Sequence, residues 1–290
     1  MTVDTRSLLW FAVPSFALLT AVLLYPLGYS VYLSLHEVHL ASTAQPFAGW
    51  GNYVALLTEE RFWSSLATTL KITAAAVMLE FVLGFALALA LYRLTAGARV
   101  FTVLLFLPHI ITPVVAALFL RWMFVSQWGL IDATLAAVGV VPPDWLGNPL
   151  WAKVTVVLAD AWKFTPFVML VLYAGLQGID QSILEAAAID GAGGFRLVWS
   201  ILLPSLKPLV LFVLAIRTMD CFRAFDAIYV LTGGGPGTAT ETITLYTYVL
   251  GFRQLEIGKA AALGVLTLVI LSSIVGTMIF MLYRRERQAF

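Results

Sequence analysis

Six long apolar runs dominate the chain, at about residues 8–35, 65–92, 100–125, 151–176, 205–231 and 258–283. Each is long enough to cross a bilayer, which takes ~20 mostly apolar residues. In hydrocarbon the backbone must satisfy its own hydrogen bonds, so such runs fold as helices. Composition agrees: 61% of the residues are hydrophobic and only 11% are charged, against about 25% charged in soluble domains. The expected fold is an all-α membrane protein of six transmembrane helices, one domain over residues 1–290. The first run is too long for the apolar part of a signal peptide and reads as a retained span. A net charge of +1 argues against a nucleic-acid partner. The single cysteine, Cys221, excludes an internal disulfide framework.

The connections set the orientation. Arg6, Arg93, Arg99, Arg196, Arg284, Arg285 and Arg287 fall on one side of the runs. Arg61 and Arg253 fall on the other, with Lys153 and Lys259 at the borders. Cytoplasmic loops collect Lys and Arg, so both termini and the loop after the fourth run are expected inside. The connections from His36 to Trp63 and from Ser126 to Leu150 are then external. Their Trp50, Trp63 and Trp145 read as interface anchors.

Ionisable residues inside the runs are the next signal, because charge at bilayer depth is costly and faces a bundle interior or a wet cavity. The fifth run carries Arg217, Asp220, Arg223 and Asp226, each three apart. On a continuous helix these form a drifting stripe, since three residues advance about 300°. It is either the polar wall of a solute path, a self-neutralised helix, or a seam for another membrane subunit. The fourth run holds Asp160, Trp162, Lys163, Thr165 and Pro166. Asp160 and Lys163 have the spacing of an ion pair, and Pro166 is expected to loosen the helix beside them. The alternative is a structural kink with an internal pair. In the third run, Arg121 reads as snorkelling to the outer interface, and His109 has no acid near it in sequence for a proton relay. Lys71 and Glu80, nine residues apart in the second run, receive no role.

No enzyme constellation emerges. His36 and His39 flank Glu37 without placed further ligands, which is weak support for a metal. The run Leu231-Thr232-Gly233-Gly234-Gly235-Pro236-Gly237 has no following Lys and no helix start, so it reads as a loop rather than a phosphate cradle. No nucleophile–base or paired-carboxylate arrangement can be argued.

The stretch Glu185–Pro204 is the most polar and glycine-broken piece between two apolar runs. Ser182 and Glu185 have capping-box spacing. Ile183, Leu184, Ala187 and Ala188 give the short helix an apolar side, and Gly191 is the expected stop. A second short helix is expected over Phe195–Leu203, with Pro204 opening the next span. An amphipathic helix–turn–helix here needs cover from the protein core, the lipid surface or a partner.

The residues Glu185-Ala186-Ala187, three residues, Gly191, nine residues and Ile201-x-Leu203-Pro204 resemble the EAA loop of bacterial ABC importer permeases. Further runs resemble the carbohydrate-uptake branch, of maltose, trehalose and glycerol-3-phosphate type. These are Tyr25-Pro26, Pro113-Val114-Val115-Ala116, Trp162-Lys163-Phe164-Thr165-Pro166 and Phe222 through Gly237. The chain lacks the large external insertion and the two extra N-terminal spans of the maltose example.

The resemblance implies a type I ABC importer permease fold in the cytoplasmic (inner) membrane. It implies that the loop is a cytoplasmic coupling helix, with Glu185, Ala186, Ala187, Asp190, Gly191, Leu203 and Pro204 docking an ATP-binding subunit. The implied partners are a second, different permease, two ATP-binding subunits and an extracytoplasmic solute-binding lipoprotein. ATP and Mg would be bound by those partners, and no cofactor by this chain. Candidate solute-path residues are Asp160, Trp162, Lys163, Asp220, Arg223, Asp226 and Tyr229. Trp162 and Tyr229 offer faces for a sugar ring, or are plain packing. Acid neighbours of Arg217 and Arg223 favour a neutral sugar over a phosphate. Rival readings are a permease for another polar solute, an ion-coupled secondary transporter, and a membrane anchor for a cytoplasmic enzyme.

Overall fold

Helices account for nearly all of the regular structure. The computed structural model describes residues 5–42, 45–94 and 96–286. In chain order the helices are α1 (Thr5–Ser34), α2 (Gly51–Thr58), α3 (Glu60–Arg93), α4 (Ala98–Ile110), α5 (Pro113–Met123), α6 (Leu130–Ala137) and α7 (Pro149–Gln177). There follow α8 (Gln181–Ile189), α9 (Gly194–Leu197), a π turn (Val198–Leu202), α10 (Leu203–Ser205), α11 (Lys207–Phe222) and α12 (Asp226–Leu231). The described residues end with α13 (Ile243–Tyr248), a second π turn (Val249–Arg253) and α14 (Ile257–Glu286). Arg287 lies outside the described residues, as do the side chains of Arg6, Arg284 and Arg285, which with it were expected on the cytoplasmic side.

Among the described residues, four helices contain stretches long and apolar enough to span a membrane: Ala12–Ser34, Glu60–Arg93, Pro149–Gln177 and Ile257–Phe280. Two further spans arise only if bent pairs are joined. Ala98–Ile110 meets Pro113–Met123 at 93°, and Gly194–Ser205 meets Lys207–Phe222 at 73°. The third run is therefore a broken helix rather than a straight one. Pro113 is the cause: it opens α5, and Thr112 before it is extended (φ −61°, ψ 145°), as the residue preceding proline prefers. The fourth run behaves in the opposite way. Helix α7 passes through Pro166 without a break, and Pro166 is buried among neighbouring helices that hold the backbone.

The fifth run also differs from expectation. Helix α11 stops at Phe222, and the chain resumes as a helix only at Asp226. In a continued helix Asp226 would follow Phe222 by four residues and lie on the same face. Phe222 is fully buried and Asp226 exposed, so the break keeps a carboxylate out of an apolar interior. Pro204 sits in the short α10 turn rather than opening the span. Pro208 occupies the first turn of α11 instead, where its missing N–H costs nothing.

The chain forms two compact units, Met1–Trp63 with Tyr246–Ile270, and Ser64–Leu245 with Leu271–Phe290. In the first unit, Glu59 joins α2 to α3. Its carboxylate accepts hydrogen bonds from Tyr246 Oη and Lys259 Nζ, and the Arg61 guanidinium lies over the Tyr246 ring. Asn52 Nδ2 donates to the carbonyls of Ser34 and His36, at 2.9 and 3.0 Å. His36 Nδ1 lies 2.8 Å from the Tyr32 carbonyl. In the second unit, Trp145 is buried rather than an interface anchor. Its Nε1 donates to Asp132 Oδ1 at 2.8 Å, and its ring packs on Phe124 and Trp151. Trp50 and Trp63 are exposed, as anchors are.

Burial pushes the Glu59 carboxyl up, but the bonds from Lys259 and Tyr246 outweigh it and hold it below its ordinary 4.5. A depressed carboxylate stabilises the folded state above its ordinary pKa, and that contribution fades as pH falls through the folded value. Glu59→Gln is therefore expected to lower the thermal stability of the purified chain at pH 7. The gap should close as pH drops below the ordinary 4.5, as read by fluorescence-detected aggregation temperature. A gap unchanged at low pH would contradict this.

Candidate functional site

Within the second unit, α3, α7 and α11 each bring a buried charge to one point. Glu80 on α3, Asp160 on α7 and Arg217 on α11 are 0%, 6% and 1% exposed. The Arg217 fork is used in full on one edge. Nε donates to Glu80 Oε2 at 2.6 Å and Nη2 to Glu80 Oε1 at 3.0 Å. Nη2 also donates to Asp160 Oδ2 at 2.8 Å. The Phe164 ring lies against the guanidinium, its centroid 3.6 Å from Cζ, a favourable cation–π placement. Buried charge persists only when paired in this way.

The network continues outward. Arg217 Nη1 faces Asp220 Oδ2 at 3.6 Å. Asp220 accepts from Arg223 Nη2 at 3.1 Å, and both side chains are substantially exposed. A dry ion cluster thus ends in an open edge that offers both carboxylate acceptors and guanidinium donors.

Lys163 does not pair with Asp160 as their spacing suggested. Asp160 is turned to Arg217. Lys163 Nζ instead donates to the carbonyls of His109 and Ile111, which the break before Pro113 leaves without helical partners. An ammonium at a helix C-terminus also complements the helix dipole. His109 Nδ1 lies 3.2 Å from the Lys163 carbonyl. A carbonyl can only accept, so that nitrogen carries the hydrogen. The ring is packed among Phe106, Phe164 and Phe167.

The remaining candidates spread out. Trp162 is half-buried, and Asp226 begins α12. Tyr229 stacks on Phe225 with centroids 5.2 Å apart. Arg121 is exposed, and its Nη1 donates to the Val230 carbonyl of α12 at 2.8 Å. The expected four-residue stripe is therefore cut after Arg223. Glu80 is the residue that sequence reasoning passed over. Its signal was an acid near the centre of an apolar run, but its partner stands 137 positions away.

The second candidate region is Gln181–Ser205. Helix α8 is capped by Asp180, whose Oδ1 accepts from the Ser182 N–H at 3.0 Å. That bond holds the Asp180 carboxyl below its ordinary range. The expected Ser182–Glu185 capping box is thus displaced by two residues, because Asp180 is an equally good cap and is already extended. Glu185 moves to the second turn. There it lines a hollow of about 390 Å³ with Tyr92, Gln177, Ile179, Gln181, Leu184 and Ala188. Ala187 is buried, and Ala186 and Asp190 are exposed. Gly191 takes φ +69° and ends the helix as expected. Leu184, Leu197 and Val198 pack on a core containing Leu176, Leu202 and Leu206, while Leu203 is half-buried and Pro204 exposed. Ile189, Phe195 and Trp199 face outward, at 88%, 77% and 56% exposure.

Removing one member of a buried ion network leaves the others unpaired, at a cost of about 3–5 kcal/mol. An exposed ion pair contributes about 0–1 kcal/mol. Arg217→Ala is therefore expected to strip most folded chain from the membrane, whereas Arg223→Ala leaves its yield and melting temperature near the parent's. Equal losses would contradict the burial difference.

Known proteins agree with this architecture. The trehalose/maltose transport system permease protein MalF of Thermococcus litoralis is 40% identical over 262 residues, 88% of each chain. The trehalose transport system permease protein SugA of Mycobacterium tuberculosis is 38% identical over 258 residues, 87% of this chain and 81% of that one. The sn-glycerol-3-phosphate transport system permease protein UgpA of Agrobacterium fabrum is 33% identical over 259 residues, 89% and 88%. The fold is that of a chain in the crystal structure of a bacterial alginate ABC transporter with an alginate pentasaccharide-bound periplasmic protein. The TM-score is 0.82 at 23% identity, over 97% of this chain and 95% of that one. Residues 80–288 match the family model described as binding-protein-dependent transport system inner membrane component. By that match and these identities, the chain belongs to the binding-protein-dependent transport system inner membrane components.

Proposed function

We propose that the chain is a permease subunit of an ATP-driven importer that carries a neutral di- or oligosaccharide across the cytoplasmic membrane. The observation that carries this reading is the Gln181–Ser205 helix–turn–helix. It exposes Ile189, Phe195 and Trp199 while its other side rests on the core of the charged spans. An apolar patch of this kind on a well-anchored loop marks a protein docking site. The occupant is an ATP-binding subunit. The loop and both termini then lie in the cytoplasm, with Arg93, Arg99 and Arg196 on the same side.

The remaining partners are a second, different permease, a second ATP-binding subunit and an extracytoplasmic solute-binding lipoprotein. ATP and Mg belong to the ATP-binding subunits, and this chain catalyses no reaction of its own. Relatives named for trehalose and maltose support the sugar class. Asp220 and Arg223 form the polar edge of the path, with Trp162, Asp226 and Tyr229 as further contacts. Asp160 and Lys163 hold the wall behind it. A relative named for glycerol-3-phosphate exists, but a phosphate calls for unpaired arginines. Here Arg217 is bound by two carboxylates and Arg223 by one.

Reconstitution tests the reading. Proteoliposomes holding the chain, its second permease, the ATP-binding subunits and the binding protein should take up radiolabelled trehalose or maltose only with ATP inside, and ionophores should not stop them. Uptake by this chain alone, collapsed by an ionophore, would establish an ion-coupled transporter instead. In the same vesicles, Gly191→Pro should lower uptake per ATP by about tenfold, because proline cannot adopt φ > 0. Normal uptake in a normally assembled variant would count against the coupling role.

A further inference from the structure

We infer that Glu80 and Arg217 are positioning residues of the transport cycle. They fasten α3, α7 and α11 into one block that carries movement of the Gln181–Ser205 loop to the Asp220–Arg223 edge. The inference rests on the functional reading above.

Four observations converge on it. First, α7 leads into the loop and α11 leads out of it, so any displacement of the loop pulls on both. Asp160 and Arg217 stand one on each of these helices, joined at 2.8 Å, and Glu80 ties the pair to a third helix by two further bonds. Second, the same three helices share one apolar core from the network to the loop. Ala88 and Leu91 of α3, Val168, Met169, Leu172 and Leu176 of α7, and Val213 of α11 pack there with Leu202 and Leu206 of the loop's exit. Third, glycines bring the helices too close to slide. A Cβ on Gly84, one turn beyond Glu80, would stand 2.7 Å from Val168 Cγ1 and 3.0 Å from the Met169 nitrogen. A Cβ on Gly175 would likewise meet Leu206 and Leu209. Fourth, a planar fork fixes rotation as well as distance. Arg217 precedes Asp220 by three residues, so holding its fork against Glu80 sets the azimuth of the last turn of α11. The hydrophobic driving force is non-directional, so the fork adds a directional constraint to the packing.

The network's role thus differs from that of the exposed edge. Arg217 has spent three of its donors on Glu80 and Asp160, and it acts on the solute only through the placement of Asp220 and Arg223. Loss of Glu80 is expected to reduce the rate of transport per ATP while leaving solute affinity in place. Loss of Asp220 is expected to weaken affinity.

The test uses the whole transporter in proteoliposomes, with the binding protein, and follows ATP hydrolysis and radiolabelled trehalose together. Glu80→Gln should cut trehalose moved per ATP by about tenfold with KM within about twofold of the parent. Glu80→Asp, which keeps the charge, should restore part of that ratio. Asp220→Asn should raise KM instead. Because Glu80→Gln disturbs a buried cluster, the triple variant Glu80→Gln, Asp160→Asn and Arg217→Met is measured beside it. It removes every charge at similar volume, a change that buried ion networks tolerate. It should assemble and be uncoupled. A parent-like ratio in either assembled variant overturns the proposal, and so does failure of both variants to assemble, which would mark the network as structural only. An absence of ATP-driven trehalose uptake by the parent assembly would instead overturn the functional reading.

Discussion

Arg217 carries a full positive charge into a place that water does not reach. An unpaired guanidinium there would cost several kcal/mol, a large share of a domain's stability, so carboxylates meet it. Glu80 and Asp160 do so from two other helices. The geometry of one fork therefore dictates the relative height and rotation of α3, α7 and α11. Gly84 and Gly175 supply the close approach that this register needs. A slip of one residue on any of the three helices would turn one charge away and leave the others stranded.

The same rule, that no polar group may be abandoned in an apolar interior, explains the irregular backbone. Pro113 ends α4 and leaves carbonyls without donors, and the Lys163 ammonium fills them. Arg121 does comparable work on the far side of the break, on the Val230 carbonyl of α12. The interruption at Arg223–Phe225 spares Asp226 from burial. Each of these breaks thus has a side chain or an exposure that accounts for it, and Asp220 and Arg223 form a polar edge beside the interruption of α11.

In the coupling proposed above, work reaches that edge from the Gln181–Ser205 loop. The loop has two faces of opposite character. Leu184, Leu197, Val198 and Leu202 anchor it in the core, while Ile189, Phe195 and Trp199 remain uncovered. Gly191 permits the turn between the two arms. A loop held on one side and bare on the other suits a joint between a membrane subunit and a cytoplasmic motor. In that proposal the buried ion network gives the joint something stiff to push against.

Much of this was legible in the residues alone. The apolar runs specified helices, because a bilayer leaves the backbone no other way to satisfy itself, but they did not say which would be continuous: the third and fifth are bent pairs. Gly191 and the residues around Glu185 located the loop, whereas the break of the third run before Pro113 was not anticipated. What spacing could not supply was partnership. Asp160 and Lys163 look like a pair at three residues apart, yet one turns to Arg217 and the other to the carbonyls of α4. Glu80 appeared to have no role because its partner lies on another helix. Helix periodicity says which residues share a face, and it does not say which foreign face will be opposite. That choice is made by close packing and by the high cost of an unmatched charge, and both exist only once the helices have come together.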